Sequence, residues 1–199
     1  MITIVGAGPG DLKKMTYEAV EAIKGADRVV AFSRLAEKLT PIREDIVAVK
    51  RLSEAEENMD PALHVAVVVS GDPLFFGLAG TFRGRGIHVD KVIPGLSSMQ
   101  CAAASLNLPW QKMRAFSFHG REPEVELLLK EPLSCVLLDK HFTASDLSKA
   151  LAAKGARGVI HGASYLSYEK EKILSASIGE EISIDEDLAL AVIEIELDE

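Results

Sequence analysis

Cysteine is scarce in this chain of 199 residues: Cys101 and Cys135 are the only two, and they form no C-x-x-C pair. That excludes a disulfide framework, and two buried thiols suit a reducing cytosol, so a cytoplasmic location is expected. A basic leader is missing from Met1-Ile2-Thr3-Ile4-Val5, so no signal peptide is expected. Residues 92–111 carry no charge, but Pro94, Gly95, Gln100, Asn107, Pro109 and Gln111 interrupt them, and they make no membrane span. An excess of positive charge is also missing. The 22 basic residues face 30 acidic ones, for a net charge of −8, which gives no support for a nucleic-acid or anionic-membrane partner. His64, His88, His141 and His161 show no H-x-x-x-H spacing and no cysteine partner, so no protein-bound metal is expected.

The acids are concentrated at one end. Residues 180–199 hold nine of them (Glu180, Glu181, Asp185, Glu186, Asp187, Glu194, Glu196, Asp198, Glu199) and no base. This reads as a solvated strand face running into a terminus. The rest of the chain is nearly neutral, so local basic patches can still receive an anionic small molecule.

The remaining composition is that of a globular protein, 48% hydrophobic and 26% charged, long enough for one large α/β domain or two small ones. Strands are predicted at 2–5, a short apolar run, and at 28–32, 46–49, 64–70 and 87–93, with 64–70 the strongest. Helical patterns at 16–25, 33–39, 75–82 and 97–106 alternate with them. Alternation of this kind predicts a mostly parallel sheet with helices on both faces. After Pro109-Trp110 the pattern changes. Strands are predicted at 114–119, 135–139, 158–163, 172–177 and 188–197, and helices at 122–130 and 143–154. The closely spaced last strands predict an antiparallel component. The reading is α/β in two domains, 1–109 and 110–199.

Ligands of open α/β sheets bind beyond the carboxyl ends of strands. Three loops fall there: Gly6-Ala7-Gly8-Pro9-Gly10-Asp11, Ser70-Gly71-Asp72-Pro73 and Pro94-Gly95-Leu96-Ser97-Ser98. The first is not a dinucleotide fingerprint. Asp11 stands where G-x-G-x-x-G needs its third glycine, and Pro9 removes a backbone donor where a pyrophosphate would sit. A neutral or cationic ligand that approaches the backbone closely fits better. Taken alone, the first loop also reads as a tight structural turn, the second as Asp72 capping the helix at Phe75, and the third as a plain turn and helix start.

Taken together, VGAGPGD at 5–11, VSGDPLFFG at 69–77 and IPGLSSMQ at 93–100 resemble the tetrapyrrole methylase family. Ser117-Phe118-His119-Gly120-Arg121 and Leu166-Ser167-Tyr168 are similar to its branch that methylates C(5) of a cobalt-precorrin in cobalamin biosynthesis. Glu169 departs from it, since a proline usually stands there. The resemblance implies two α/β domains with a cofactor cleft between them, S-adenosylmethionine as methyl donor, and a homodimer. It implies cofactor contacts at Pro9, Ser70, Gly71, Asp72, Phe75, Ser97 and Ser98, with weaker matches at Leu138 and Gly162–Ser164. The substrate it implies is an anionic corrin-type macrocycle. Arg121 is the leading carboxylate partner, since a guanidinium binds a carboxylate bidentately. His119, Arg83, Arg34 and Arg85 follow, although Arg83 and Arg85 also suit a helix C-terminus. No residue stands out as a catalytic base. Some relatives are fused to a second methyltransferase that acts at C(15) and decarboxylates; here that activity is expected in a separate protein. Two other readings stay open. One is a methylase of the same fold acting at another carbon or on a non-tetrapyrrole acceptor, and the other is a non-catalytic nucleotide-binding regulatory module.

Overall fold

ITIVG and VAVVV hold a single polar residue between them, Thr3, so as strands they must be covered on both faces. In the computed structural model, which describes residues 1–184 and 187–197, they are β1 (Ile2–Gly6) and β4 (Val65–Val69), paired in parallel at the middle of a five-stranded sheet. With β2 (Arg28–Phe32), β3 (Ile46–Val49) and β5 (Lys91–Ile93) the order is β3-β2-β4-β1-β5, parallel throughout. Helices α1 (Tyr17–Gly25) and α2 (Ser33–Leu39) cover one face through Ala19, Ile23, Ala36 and Leu39, packed on Val5, Val29 and Val68. Helices α3 (Leu52–Glu57) and α4 (Leu78–Gly84) cover the other through Ala55 and the fully buried Phe82. The strand order puts β4, β1 and β5 side by side. Pairing Gly6 with Val69 and Val5 with Ile93 brings their carboxyl ends level.

The chain divides into two compact units, 1–97 and 98–199. The second begins with α5 (Ser98–Leu106) and holds β6 (Arg114–Ser117), β7 (Leu133–Leu137), α6 (Ala144–Ala153), β8 (Gly158–Ser164), β9 (Lys172–Ser177) and β10 (Leu190–Ile195). Its sheet has the order β6-β7-β10-β8-β9. The β6–β7 pair is parallel and every other pair antiparallel, so β6, β7 and β8 all end at the same edge. One face packs against α6 and a 3-10 turn at Val125–Lys130. The other packs against Cys101, Ala102 and Ala103 of α5.

Several sequence expectations shift. The division was expected near residue 109, but α5 packs with the second sheet. Its three small residues let the helix lie close to Cys135, Leu190 and Val192, and nothing in the helix itself names the sheet it covers. The helix expected at 75–82 starts at Leu78, because Phe76 adopts φ 50° and breaks the first turn. The strand expected at 87–93 is only Lys91–Ile93, and the helix at 122–130 is a 3-10 turn from Val125. Helix α3 was not anticipated. Of the acidic end, Asp185, Glu186, Asp198 and Glu199 lie outside the described residues. Burial raises the Cys135 thiol to about 12, as a structural cysteine requires. No helix among the described residues is long and apolar enough to cross a membrane.

Helix α6 carries a complete capping box: Thr143 Oγ1 accepts from Asp146 N (3.2 Å), and Asp146 Oδ2 accepts from Thr143 N (2.9 Å). Bonds from the Thr143 hydroxyl and N–H hold the Asp146 carboxyl below its ordinary value. A carboxyl lowered in the folded state stabilises above its unfolded value, near 4, and loses that contribution as pH falls through the folded value. Thr143→Ala is therefore expected to cost about 1 kcal/mol at pH 7 and distinctly less at pH 3. A urea titration at each pH checks it, and an equal loss at both removes the carboxylate's share.

Candidate functional site

The glycines after β1 and β4 are what let the two loops join. Gly71 N donates to Gly8 O (2.7 Å), Gly8 N to Gly71 O (3.2 Å) and Ala7 N to Val69 O (2.8 Å), a short antiparallel bridge beyond the sheet. Gly8 and Gly71 take φ of 71° and 69°, where a side chain would strain the backbone. The loop after β5 closes on this bridge. A Cβ on Gly6 would stand 2.6 Å from Gly95 N and 2.8 Å from Gly71 O. Gly95 is equally tight against Gly71 O and the Gly6 carbonyl.

This geometry bears on phosphate binding at the first loop. Ala7 N and Gly8 N are already bonded, and Pro9 has no N–H, so residues 7–9 have no donor left for a pyrophosphate. Asp11 accepts from Lys13 N (2.9 Å) at the head of a 3-10 turn, and Lys38 Nζ donates to Gly10 O (3.0 Å). Over Gly71, by contrast, a Cβ would meet nothing within 4 Å, so the backbone there is open to close approach.

Of the residues singled out by sequence, Pro9, Ser70, Gly71, Asp72, Phe75 and Ser97 lie on these three loops. Ser97 is buried, and Ser98 is the first residue of α5. Asp72 holds loops together: Oδ1 accepts from Leu74 N (2.7 Å) and Oδ2 from Gly95 N (3.2 Å). Sequence reasoning passed over Leu74, Phe76 and Leu96, which stand 69%, 44% and 38% exposed on the same loops. The signal was there, as large apolar residues between turn residues have no sheet or helix face to bury.

The basic candidates separate. Arg83 sits in the last turn of α4, and Arg85 just after it pairs with Glu56 (2.8 Å). A helix linking two parallel strands runs back along the sheet, so both lie at the edge opposite the three loops. For them the helix-terminus reading stands. Arg34 is the second residue of α2, at the carboxyl edge of β2, and is exposed.

In the second unit, Arg121 and His119 are exposed on the turn after β6, beside a cavity of about 460 Å³. His119 Nδ1 lies 3.4 Å from Leu138 O. The Leu138 side chain is in the core with Val136 and Leu147, 3% exposed, so only its backbone reaches the edge. Gly162 is paired on both sides, with Ala191 and Leu174, and a Cβ there would lie 3.1 Å from Ile182 and 3.2 Å from Ile184. Past β8, Tyr165 and Ser167 take φ of 50° and 68°. Lys170 Nζ stands 3.4 Å from the Tyr165 ring centroid, and Tyr165 Oη donates to Asp187 (3.1 Å). Among the described residues, no group of three or more His, Cys, Asp and Glu could hold a metal ion.

A profile of the tetrapyrrole (corrin/porphyrin) methylases matches residues 1–181. The chain is 32% identical over 184 residues to the cobalt-precorrin-7 C(5)-methyltransferase of Salmonella typhimurium, covering 87% of this chain and 89% of that one. It is 34% identical over 139 residues to a probable cobalt-precorrin-7 C(5)-methyltransferase of Methanocaldococcus jannaschii, where the match spans 65% of each chain, just under two thirds of that relative. Among solved structures, a precorrin-6Y methylase of cobalamin biosynthesis from Archaeoglobus fulgidus superposes with a TM-score of 0.78 at 25% identity, over 99% of both chains. A uroporphyrin-III C-methyltransferase from Thermus thermophilus, in complex with S-adenosylhomocysteine, has the same fold, with a TM-score of 0.78 at 22% identity over 97% of this chain and 96% of that one.

Proposed function

The chain belongs to the tetrapyrrole (corrin/porphyrin) methylase family, and from that premise we propose that it transfers a methyl group from S-adenosylmethionine to C(5) of cobalt-precorrin-7. The relatives of that name support the substrate. The observation that carries the cofactor is the three-loop edge, with residues 7–9 short of donors and the Gly71 backbone open. A phosphate-bearing cofactor would find no nest there. S-adenosylmethionine has no phosphate, and its sulfonium and ammonium suit an edge of carbonyl oxygens. When bound it supplies an electrophilic methyl group.

In this reading Pro9, Ser70, Gly71, Phe75, Ser97 and Ser98 form the cofactor contacts, and Asp72 holds their loops in register. A ring carbon of the macrocycle is the nucleophile, so the chain's task is to align two ligands near 3–3.5 Å rather than to activate either. Arg121, with His119 on the same turn, receives a carboxylate of the macrocycle. Arg83 is left out, since its helix carries it to the far edge. The same reading includes a cytosolic homodimer and, as a functional partner, a C(15)-methylating decarboxylase. A light-scattering mass near the 21.5 kDa of one chain would remove the dimer.

S-adenosylhomocysteine at 100-fold excess over its Kd is expected to stabilise the fold by about 2.7 kcal/mol, read as a rise in Tm of roughly 5–10 °C, while NAD gives none. No rise with S-adenosylhomocysteine overturns the cofactor. Methyl-labelled S-adenosylmethionine and cobalt-precorrin-7 are expected to give a product labelled at C(5) by NMR; label at another carbon moves the chain elsewhere in the family. Arg121→Ala is expected to weaken the macrocycle about 10- to 100-fold, since a bond to a charged group contributes roughly 1.5–3 kcal/mol, and to leave cofactor affinity unchanged. Equal loss of both ligands would remove Arg121 from the substrate side.

A further inference from the structure

One carboxylate in each unit does the same job at the edge where parallel strands end. In the first, Asp72 accepts from the N–H two residues on, Leu74, and with its other oxygen from Gly95 in a different loop. In the second, Asp139 follows β7. Its Oδ1 accepts from the N–H two residues on, His141 (2.8 Å), and from Phe142 N (3.2 Å). Its Oδ2 accepts from Gly120 N (2.7 Å) in the turn after β6. The N–H bonds from Gly120 and His141 are the main reason its carboxyl lies below the ordinary range.

The turn that Asp139 grips is the one that carries Arg121. It is closed by Arg121 N donating to Phe118 O (3.1 Å) and passes through Gly120 at φ 64°. Fixing the Gly120 N–H fixes the central peptide of that turn, and so the direction in which the Arg121 side chain leaves the backbone. The cavity beside it is lined by Arg121, Glu122, His141 and Phe142, with Gly120 and Asp139. Two of these are acids, yet they leave Arg121 available. Asp139 spends both oxygens on backbone N–H groups, and the Arg121 guanidinium makes no ion pair with any described residue.

We propose that Asp139 is a positioning residue that ties the Phe118–Arg121 turn to the Lys140–Phe142 segment, so that Arg121, beside His141, is presented to a carboxylate of the substrate macrocycle. The inference rests on the functional reading above. It assigns a role to Asp139, which carries no obvious ligand signal in sequence.

The test is calorimetric titration of the purified chain with cobyrinic acid, a corrin polycarboxylate, and separately with S-adenosylhomocysteine. Asp139→Asn keeps the shape of the side chain, but turns one acceptor into a donor facing an N–H. It is expected to raise the corrin Kd about tenfold and to leave the S-adenosylhomocysteine Kd within twofold. In an Arg121→Ala background the same change is expected to add nothing, because its effect passes through Arg121. An unchanged corrin Kd, or the same tenfold loss with Arg121 absent, overturns the proposal. If Asp139→Asn fails to fold, Gly120→Ala carries the test: there is room for its methyl group, but the turn no longer holds φ 64° freely. Corrin affinity equal to wild type in Gly120→Ala overturns the proposal as well. A wild-type chain that binds S-adenosylhomocysteine but no corrin overturns the substrate reading and this inference together, whereas a binding wild type with an equally tight Asp139→Asn overturns the inference alone.

Discussion

Gly95→Ala is expected to abolish S-adenosylhomocysteine binding and to lower stability by about 3 kcal/mol. The added methyl group would be driven into Gly71 O and to 2.9 Å from the Gly6 carbonyl carbon and oxygen, all backbone atoms. Backbone cannot turn aside as a flexible side chain does, so relief must come from moving the loop after β5 away from the other two. That movement also stretches the Gly95 N–Asp72 bond, already 3.2 Å long. The control is Gly80→Ala inside α4, where a Cβ meets nothing within 4 Å and the residue is exposed. There the same chemical change is expected to stabilise by about 0.5–1 kcal/mol, since alanine loses less backbone freedom in a helix. Urea titrations and calorimetry on both variants check the pair. A Gly95→Ala chain that binds the cofactor product as well as wild type would mean that close contact among the three loops is not what shapes the site.

That contrast shows where the sequence is informative and where it is silent. Glycines at or just past the ends of strand patterns mark the three loops, because the largely apolar runs 2–5 and 65–69 must be covered strands and their ends must turn. The shared edge followed from chain order and the rule for open α/β sheets. The failures are cases where a partner is distant along the chain. The N–H that Asp72 holds belongs to a residue 23 positions on, and the one that Asp139 holds lies 19 positions back. The sequence therefore shows a carboxylate among glycines, but not the tie between loops that it makes. Arg83 was offered for its charge alone, and a seven-residue helix carries it to the other edge. Leu138 had a local signal that was passed over. It continues the alternation Ser134, Val136, Leu138, and so points to the same packed side as Val136. Helix α5 had none, because a run of small residues fits either sheet equally well.

Asp72→Ala is expected to weaken S-adenosylhomocysteine roughly 100-fold or more. The alanine leaves two backbone donors, Leu74 N and Gly95 N, without acceptors. An orphaned donor costs about 1–3 kcal/mol when buried and less where water reaches it, and each 1.4 kcal/mol is tenfold in affinity. Gly95 is buried while Leu74 is exposed, so the larger share falls on the loop after β5. Asp72→Asn distinguishes a tie from a contact. Its amide keeps one oxygen for one of the two N–H groups, so a tie between loops predicts a loss near tenfold, with stability falling in the same order, alanine below asparagine below wild type. A direct contact with the cofactor's ammonium depends on charge instead. It predicts that asparagine and alanine lose equally, that added salt weakens the wild type alone, and that stability hardly moves. Calorimetric titration at two salt concentrations, with a urea titration of each variant, separates the two. Equal losses without a change in stability would return Asp72 to the role of a cofactor ligand and leave Gly95 to hold the junction by packing alone.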